Sequence, residues 1–293
     1  MRGWLSGAVA AARVAADRAE LWLPGALPPF AAAGWLVLLL TVAPLPDASG
    51  AAGLGLRLMA SGWFPWNVVV LLVAVASGLA TLLLVVAFGE VALLMGLSDP
   101  AGAEPLPTVP RAMGVLAVAG LPVLVTAAGL AWLAAPAVID VVTLPDPFTP
   151  APIRVAAATW PLLVALAAVI VAAQAFGAAA LRSQRGGRGG RRRLRASGRR
   201  VVRLLPQAAV TMAAFVLGQL ATAVVLALLW RPLDTRLETG GLAQPTTVIL
   251  LVGFVWIWLV LVILAGVVQA WTSAWWSAAL DAGSATETME GDR

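Results

Sequence analysis

The chain has 293 residues, of which 61% are hydrophobic and 11% charged, with a net charge of +5 at pH 7. A soluble domain carries about a quarter charged residues, so this balance belongs to a chain solvated by lipid. There is no Cys, His, Tyr or Lys, and all 19 basic residues are Arg. Those absences exclude disulfides, thiolate and histidine chemistry, HExxH zinc sites, Ser-His-Asp and Cys-His nucleophiles, and the lysine-bearing P-loop. No catalytic, cofactor or metal site is therefore expected, and the chain reads as non-enzymatic. Abundant Ala, Arg, Gly and Pro without Lys points to a GC-rich bacterial genome.

In chain order, MRGWLSGAVAAARVAADRAELWLPG comes first. Arg13, Asp17, Arg18 and Glu20 break its apolar stretch, which rules out the uninterrupted core of roughly 7–15 residues that a signal peptide needs. It reads as an amphipathic surface helix with Trp4, Leu5, Val9 and the alanines toward lipid. A crossing helix needs about 20 mostly apolar residues. Six such spans are predicted: Phe30–Ala43, Phe64–Phe88, Val115–Val138, Ile153–Leu181, Leu205–Trp230 and Thr246–Ser273. The first is short unless it begins near Pro24, and Pro24, Pro28 and Pro29 stand at its entrance. The fold class is all-α, a single polytopic membrane domain over 1–293 that ends in a polar tail, 282–293.

Arginine sets the expected orientation. With the N-terminus inside, fifteen arginines are cytoplasmic, ten of them from Arg182 to Arg203, and four (Arg57, Arg154, Arg231, Arg236) are external. The positive-inside rule then places both termini in the cytoplasm of a bacterial inner membrane. Trp63, Trp66, Trp132 and Trp230 fall near the outer boundary. Trp4, Trp22, Trp271, Trp275 and Trp276 fall near the inner one, as two aromatic belts would.

Three stretches align: RVAADRAELWLP, RAMGVLAVAGLP and RASGRRVVRLLP. In each, an arginine (Arg13, Arg111, Arg195) precedes a Leu-Pro whose proline lies eleven residues on. Glu90 to Arg111 and Gln174 to Arg195 are both separations of twenty-one. The expected architecture is three hairpin repeats, 1–98, 99–182 and 183–281. In each, a cytoplasmic amphipathic helix turns at Leu-Pro into an outgoing span.

Glu90, Gln174 and Gln269 occupy matching places near the inner ends of the even-numbered spans and form a candidate polar collar. A charge at mid-membrane costs about 2.5–3.5 kcal/mol. Glu90 lies near the interface instead, where contact with water or an arginine competes with a lumen-facing role. For the glutamines, and for Gln207 and Gln219 on the fifth span, hydrogen bonding between helices is the simpler reading. Asp140 and Asp146 read as solvated loop residues. In the run RSQRGGRGGRRRLRASGRRVVRLL, Arg191, Arg192, Arg193, Arg199, Arg200 and Arg203 are candidate contacts for anionic lipid headgroups. The same run also serves as a topology determinant. Nucleic acid is not an expected partner for a segment held against a membrane.

The segment SDPAGAEPLPTVPRAMGVLAVAGLPVL and its counterpart around RASGRRVVRLLPQAAV each lead from a short linker through an amphipathic stretch into a span. In this the chain resembles a bacterial six-span family related to the membrane domain of some glycerophosphodiester phosphodiesterases. The resemblance implies the six-span layout and no activity, because the phosphodiesterase catalytic domain is absent. Three functional classes fit. The first is lipid handling or service to another membrane machine. The second is a small-molecule transporter or exporter, which a threefold repeat suits although the Px[DE]xx[KR] signature of three-hairpin carriers is missing. The third is the permease subunit of an ATP-driven exporter, with an ATPase as partner.

Overall fold

The computed structural model describes residues 2–43, 53, 56–98, 107–143, 151–183, 190–241 and 244–291. Of 2–4, 141–143, 151–152, 190–201, 203, 240 and 281–291 it describes the backbone alone. Among the described residues the chain is helical, without strands. Six helical stretches are long and apolar enough to cross a membrane: Ala19–Val42, Trp66–Leu97, Val109–Asp140, Ile153–Ser183, Leu204–Thr239 and Pro245–Leu280. The protein is an all-α polytopic membrane protein. In lipid each backbone N–H and C=O needs an internal partner, and apolar runs of this length meet that demand only as helices.

The N-terminal helix α1 spans Arg2–Asp17 and ends at Arg18, whose backbone leaves the helical region (φ −114°, ψ 76°). Span 1 follows as a composite: a 3-10 turn at Ala19–Leu21, α2 at Trp22–Pro29, a π-helical turn at Phe30–Gly34, and α3 at Trp35–Val42. It therefore starts well before the expected Phe30. Pro28 and Pro29 do not stop it, because the chain passes into the π turn, where Trp35 N–H donates to the Phe30 carbonyl. Spans 2 to 6 are the single helices Trp66–Leu97, Val109–Thr143, Ala151–Ser183, Gly190–Gly240 and Pro245–Gly291.

The Leu-Pro steps at Pro122 and Pro206 lie inside continuous helices, not at turns. Membrane helices tolerate an internal proline, since neighbouring helices re-satisfy the backbone. Arg13 thus sits on a helix separate from its span, whereas Arg111 and Arg195 sit on helices continuous with theirs. The arginines from 191 to 203 lie on the helical start of span 5, and their side chains fall outside the described residues. Asp146 also lies outside them.

Each span packs against its neighbours in sequence, and span 6 returns to span 1, so the six close into a ring. The end of the ring that carries α1 is called the α1 end, and the opposite one the far end. At the α1 end, Ala87, Val91, Leu94, Ala112 and Leu181 join spans 2, 3 and 4. Ala175, Ala179, Leu204, Ala208 and Trp276 join spans 4, 5 and 6. Ala11 of α1 packs with Ala274 and Trp275, and Ala15 with Leu21, Leu93 and Ala270. Toward the far end, Leu226, Leu233 and Phe254 knit spans 5 and 6 to Val37 and Leu38 of α3. Residues 69–81 of span 2, by contrast, are exposed all round the helix.

Glycine permits the closest crossing. A Cβ on Gly25 would run into the Gly266 carbonyl, and one on Gly266 into the Trp22 carbonyl. Span 1 and span 6 therefore touch backbone to backbone, as small residues allow in membranes. On the other side of α2, a Cβ on Gly89 of span 2 would stand 2.7 Å from Pro28 Cδ. The ring closes on these contacts.

Candidate functional site

The polar groups collect at the α1 end of span 6. Gln269, Ser273 and Ser277 follow one another every four residues, a spacing that puts them on one helix face. Gln269 Nε2–H donates to Glu90 Oε1 of span 2 at 2.6 Å. Thr272 Oγ1–H donates to the Gln269 carbonyl at 2.9 Å and lies 3.4 Å from its Oε1. One turn further on, Arg182 of span 4 reaches across. Its Nη2 donates to the Ser273 carbonyl at 2.9 Å and to Ser273 Oγ at 2.8 Å. Its Nε donates to Ser277 Oγ at 3.2 Å and its Nη1 to the Ala178 carbonyl at 3.3 Å.

Arg182 is 8% exposed and Ser273 2%, so this is a guanidinium held inside the bundle. Such a charge is tolerable because several acceptors surround it and strengthen in a low dielectric. The fork of the guanidinium spans two serines a turn apart, which the single point of an ammonium would not. Other faces of the same segment hold α1: Trp271 Nε1–H donates to the Ala8 carbonyl at 3.0 Å, and Trp271 stacks on Trp275 with ring centroids 5.4 Å apart. Span 6 is therefore a hub, clasping α1, span 2 and span 4 within about three turns.

Of the expected collar, Glu90 and Gln269 meet. Gln174 does not join that bond; its Nε2–H faces Met212 Sδ of span 5 at 3.5 Å, a weak acceptor. Gln207 is 2% exposed with no partner for Nε2 among the described residues. Arg13 and Arg111 are exposed, and the side chain of Arg195 lies outside the described residues. Trp275 and Trp276, expected in an inner aromatic belt, are packing residues at 2% and 6% exposure, because α1 and span 5 cover them. Trp63, Trp66 and Trp132 are exposed, as a belt requires. On α1, Ala8, Ala11 and Ala15 pack on span 6, while Ala10, Ala12 and Ala16 remain exposed with Leu5 and Val9.

Arg182 was not foreseen as a buried group, since it opens an arginine run. The signal was in span 6, where WTSAWWS interrupts an apolar stretch with serines at helical spacing. A second polar place lies deeper. Gln219 and Thr222 of span 5 and Trp258 of span 6 face the π turn of span 1 across a small recess. The chain matches no protein-family model, and comparison with curated proteins and with solved structures gives no similar chain.

Proposed function

We propose that the chain is a non-enzymatic lipid-handling protein of a bacterial cytoplasmic membrane, with the α1 end and both termini in the cytoplasm. One observation carries the reading: polar links tie spans 2, 4 and 6 at the α1 end, whereas from mid-span toward the far end spans 2, 3 and 4 present apolar side chains that no described neighbour covers. Spans 2, 3 and 4 expose Val70, Leu72, Leu124, Val125, Leu163 and Val164 there. Whatever fills the space beside these faces meets hydrocarbon. A hydrated solute would forfeit its water without compensation on such a surface, whereas an acyl chain loses nothing. At the α1 end the Glu90–Gln269 and Arg182–Ser273 links hold spans 2, 4 and 6 together, a polar floor beneath these apolar faces.

The arginine asymmetry supports the orientation. Exposed Leu5 and Val9 on α1, with exposed Leu23 beyond it, suit a helix lying in the headgroup layer. The arginines at 191, 192, 193, 199, 200 and 203 are placed to draw anionic headgroups toward that face. The shared spacing behind Arg13, Arg111 and Arg195 supports descent of the three hairpins from one repeat. A superposition of the three hairpins that left these arginines out of register would remove that part.

Native mass spectrometry of the protein released from mild detergent tests the function. Retained phospholipid, enriched in anionic species over the bulk membrane, is the expected result. A bare particle would overturn lipid handling. A stoichiometric ATPase would replace it with an exporter subunit, and a retained water-soluble metabolite with a transporter.

A further inference from the structure

Span 1 changes its winding halfway across the membrane. Pro28 and Pro29 lack N–H groups, and the helix passes through the π turn Phe30–Gly34 before resuming at Trp35. Single π turns of this kind recur at functional sites. Gln219 and Thr222 of span 5 and Trp258 and Leu261 of span 6 face it across a recess with space for about one water-sized group. The Phe30 and Trp258 rings stand edge to face, centroids 6.1 Å apart, on its wall. Gln219 lies near the middle of the 36-residue apolar stretch Leu204–Thr239, at hydrocarbon depth. Its Oε1 is buried and accepts no hydrogen bond from any described group.

An amide oxygen left unpaired in hydrocarbon is a standing penalty that a donor would relieve. Acyl chains carry no donor. A single buried water typically makes about three hydrogen bonds, whereas the side-chain acceptors on this recess are Gln219 and Thr222 alone, the indole of Trp258 being a donor only. The space admits one small donor group, and the rest of its carrier must be content against Phe30, Trp258 and Leu261. We propose that the recess binds the hydroxyl of an apolar alcohol, a lipid with a free O–H on hydrocarbon, with Gln219 Oε1 accepting its hydrogen bond. The aromatic pair flanks the first carbons, and the chain leaves through the open side. This site is separate from the polar floor at the α1 end.

The test compares 1-dodecanol with its methyl ether, each titrated into the purified full chain in mild detergent, with thermal unfolding as the readout. The alcohol is expected to raise the unfolding temperature and the ether to leave it unchanged. Gln219→Leu is expected to weaken the alcohol about tenfold, which is one hydrogen bond of about 1.4 kcal/mol. Gly34 also lines the recess, and Gly34→Leu, which fills it, is expected to remove the alcohol's effect with Gln219 intact. Equal stabilisation by alcohol and ether would overturn the proposal, and so would an undiminished alcohol effect in Gln219→Leu. If that variant does not fold, the alcohol-to-ether ratio on the unaltered chain and Gly34→Leu decide. A protein that retains phospholipid yet treats the two probes alike fails this inference and not the lipid-handling reading.

Discussion

Where spans 2 and 6 meet span 1, glycines mark the close contacts; farther along spans 2, 5 and 6 they face open space. Gly25 and Gly266 are pressed against each other's helices, and Gly89 against Pro28, whereas added Cβ atoms at Gly78, Gly218 and Gly253 would meet nothing within 4 Å. Side chains repeat the contrast: Leu93 and Leu94 of span 2 are fully buried, while Leu72, about six turns away on the same helix, is 62% exposed. A single helix thus has one end built as protein core and another left to lipid. Burial in a membrane protein is decided by packing against neighbours and not by hydropathy, because lipid is as apolar as leucine.

Substitutions at packed and at open positions sharpen this comparison, and equal effects at both would break it. Gly266→Val should do most damage, about 3 kcal/mol or more, since its side chain meets backbone that cannot move aside. Unfolding in detergent micelles, or simple loss of folded yield, would report it. Leu226→Ala is next, at about 2 kcal/mol, because Leu226 is fully buried in the cluster that ties spans 5 and 6 to α3. The matching Leu72→Ala should stay below about 0.5 kcal/mol. Ser273→Ala should cost about 1.5 kcal/mol by removing one acceptor from a charged donor that keeps its others. Glu90→Gln should cost about 1 kcal/mol, the difference between a charged and a neutral hydrogen bond. A double-mutant cycle with Gln269→Leu should then show coupling of at least about 0.6 kcal/mol. Gly78→Ala closes the series with no loss, or a gain of a few tenths of a kcal/mol from helix propensity. A Gly78→Ala variant as damaged as Gly266→Val would show span 2 packed on something at its far end.

The spans themselves were legible in the sequence because runs of about 20 apolar residues have one outcome in a bilayer. The first span was the exception. Pro24, Pro28 and Pro29 read as a kinked entrance to a span from Phe30 or from near Pro24, and the helix runs from Ala19 to Val42, changing its winding after them. Common depth made Glu90 and Gln269 plausible partners, and they bond. The same depth made Gln174 look like a third member, but depth does not say which neighbour a side chain faces, and span 4 turns it to Met212. Arg182 was hidden by its company. Ten arginines from Arg182 to Arg203 suggest a solvated run, and nothing local shows that the first of them falls one helical turn inside the bundle, opposite two serines some ninety residues later. Trp275 and Trp276 carried the ordinary interface signal, and tertiary contact with α1 and span 5 overrode it.

The contact between α1 and span 6 has a consequence in time. Trp271 bonds to Ala8 across a sequence separation of 263 residues. At about 5–20 residues per second, synthesis leaves α1 and the glycine face of span 1 waiting on the order of tens of seconds for their final neighbour. Through that interval the exposed apolar face of α1 can keep it at the membrane surface. The sixth span completes the shelter of a helix made some 263 residues earlier.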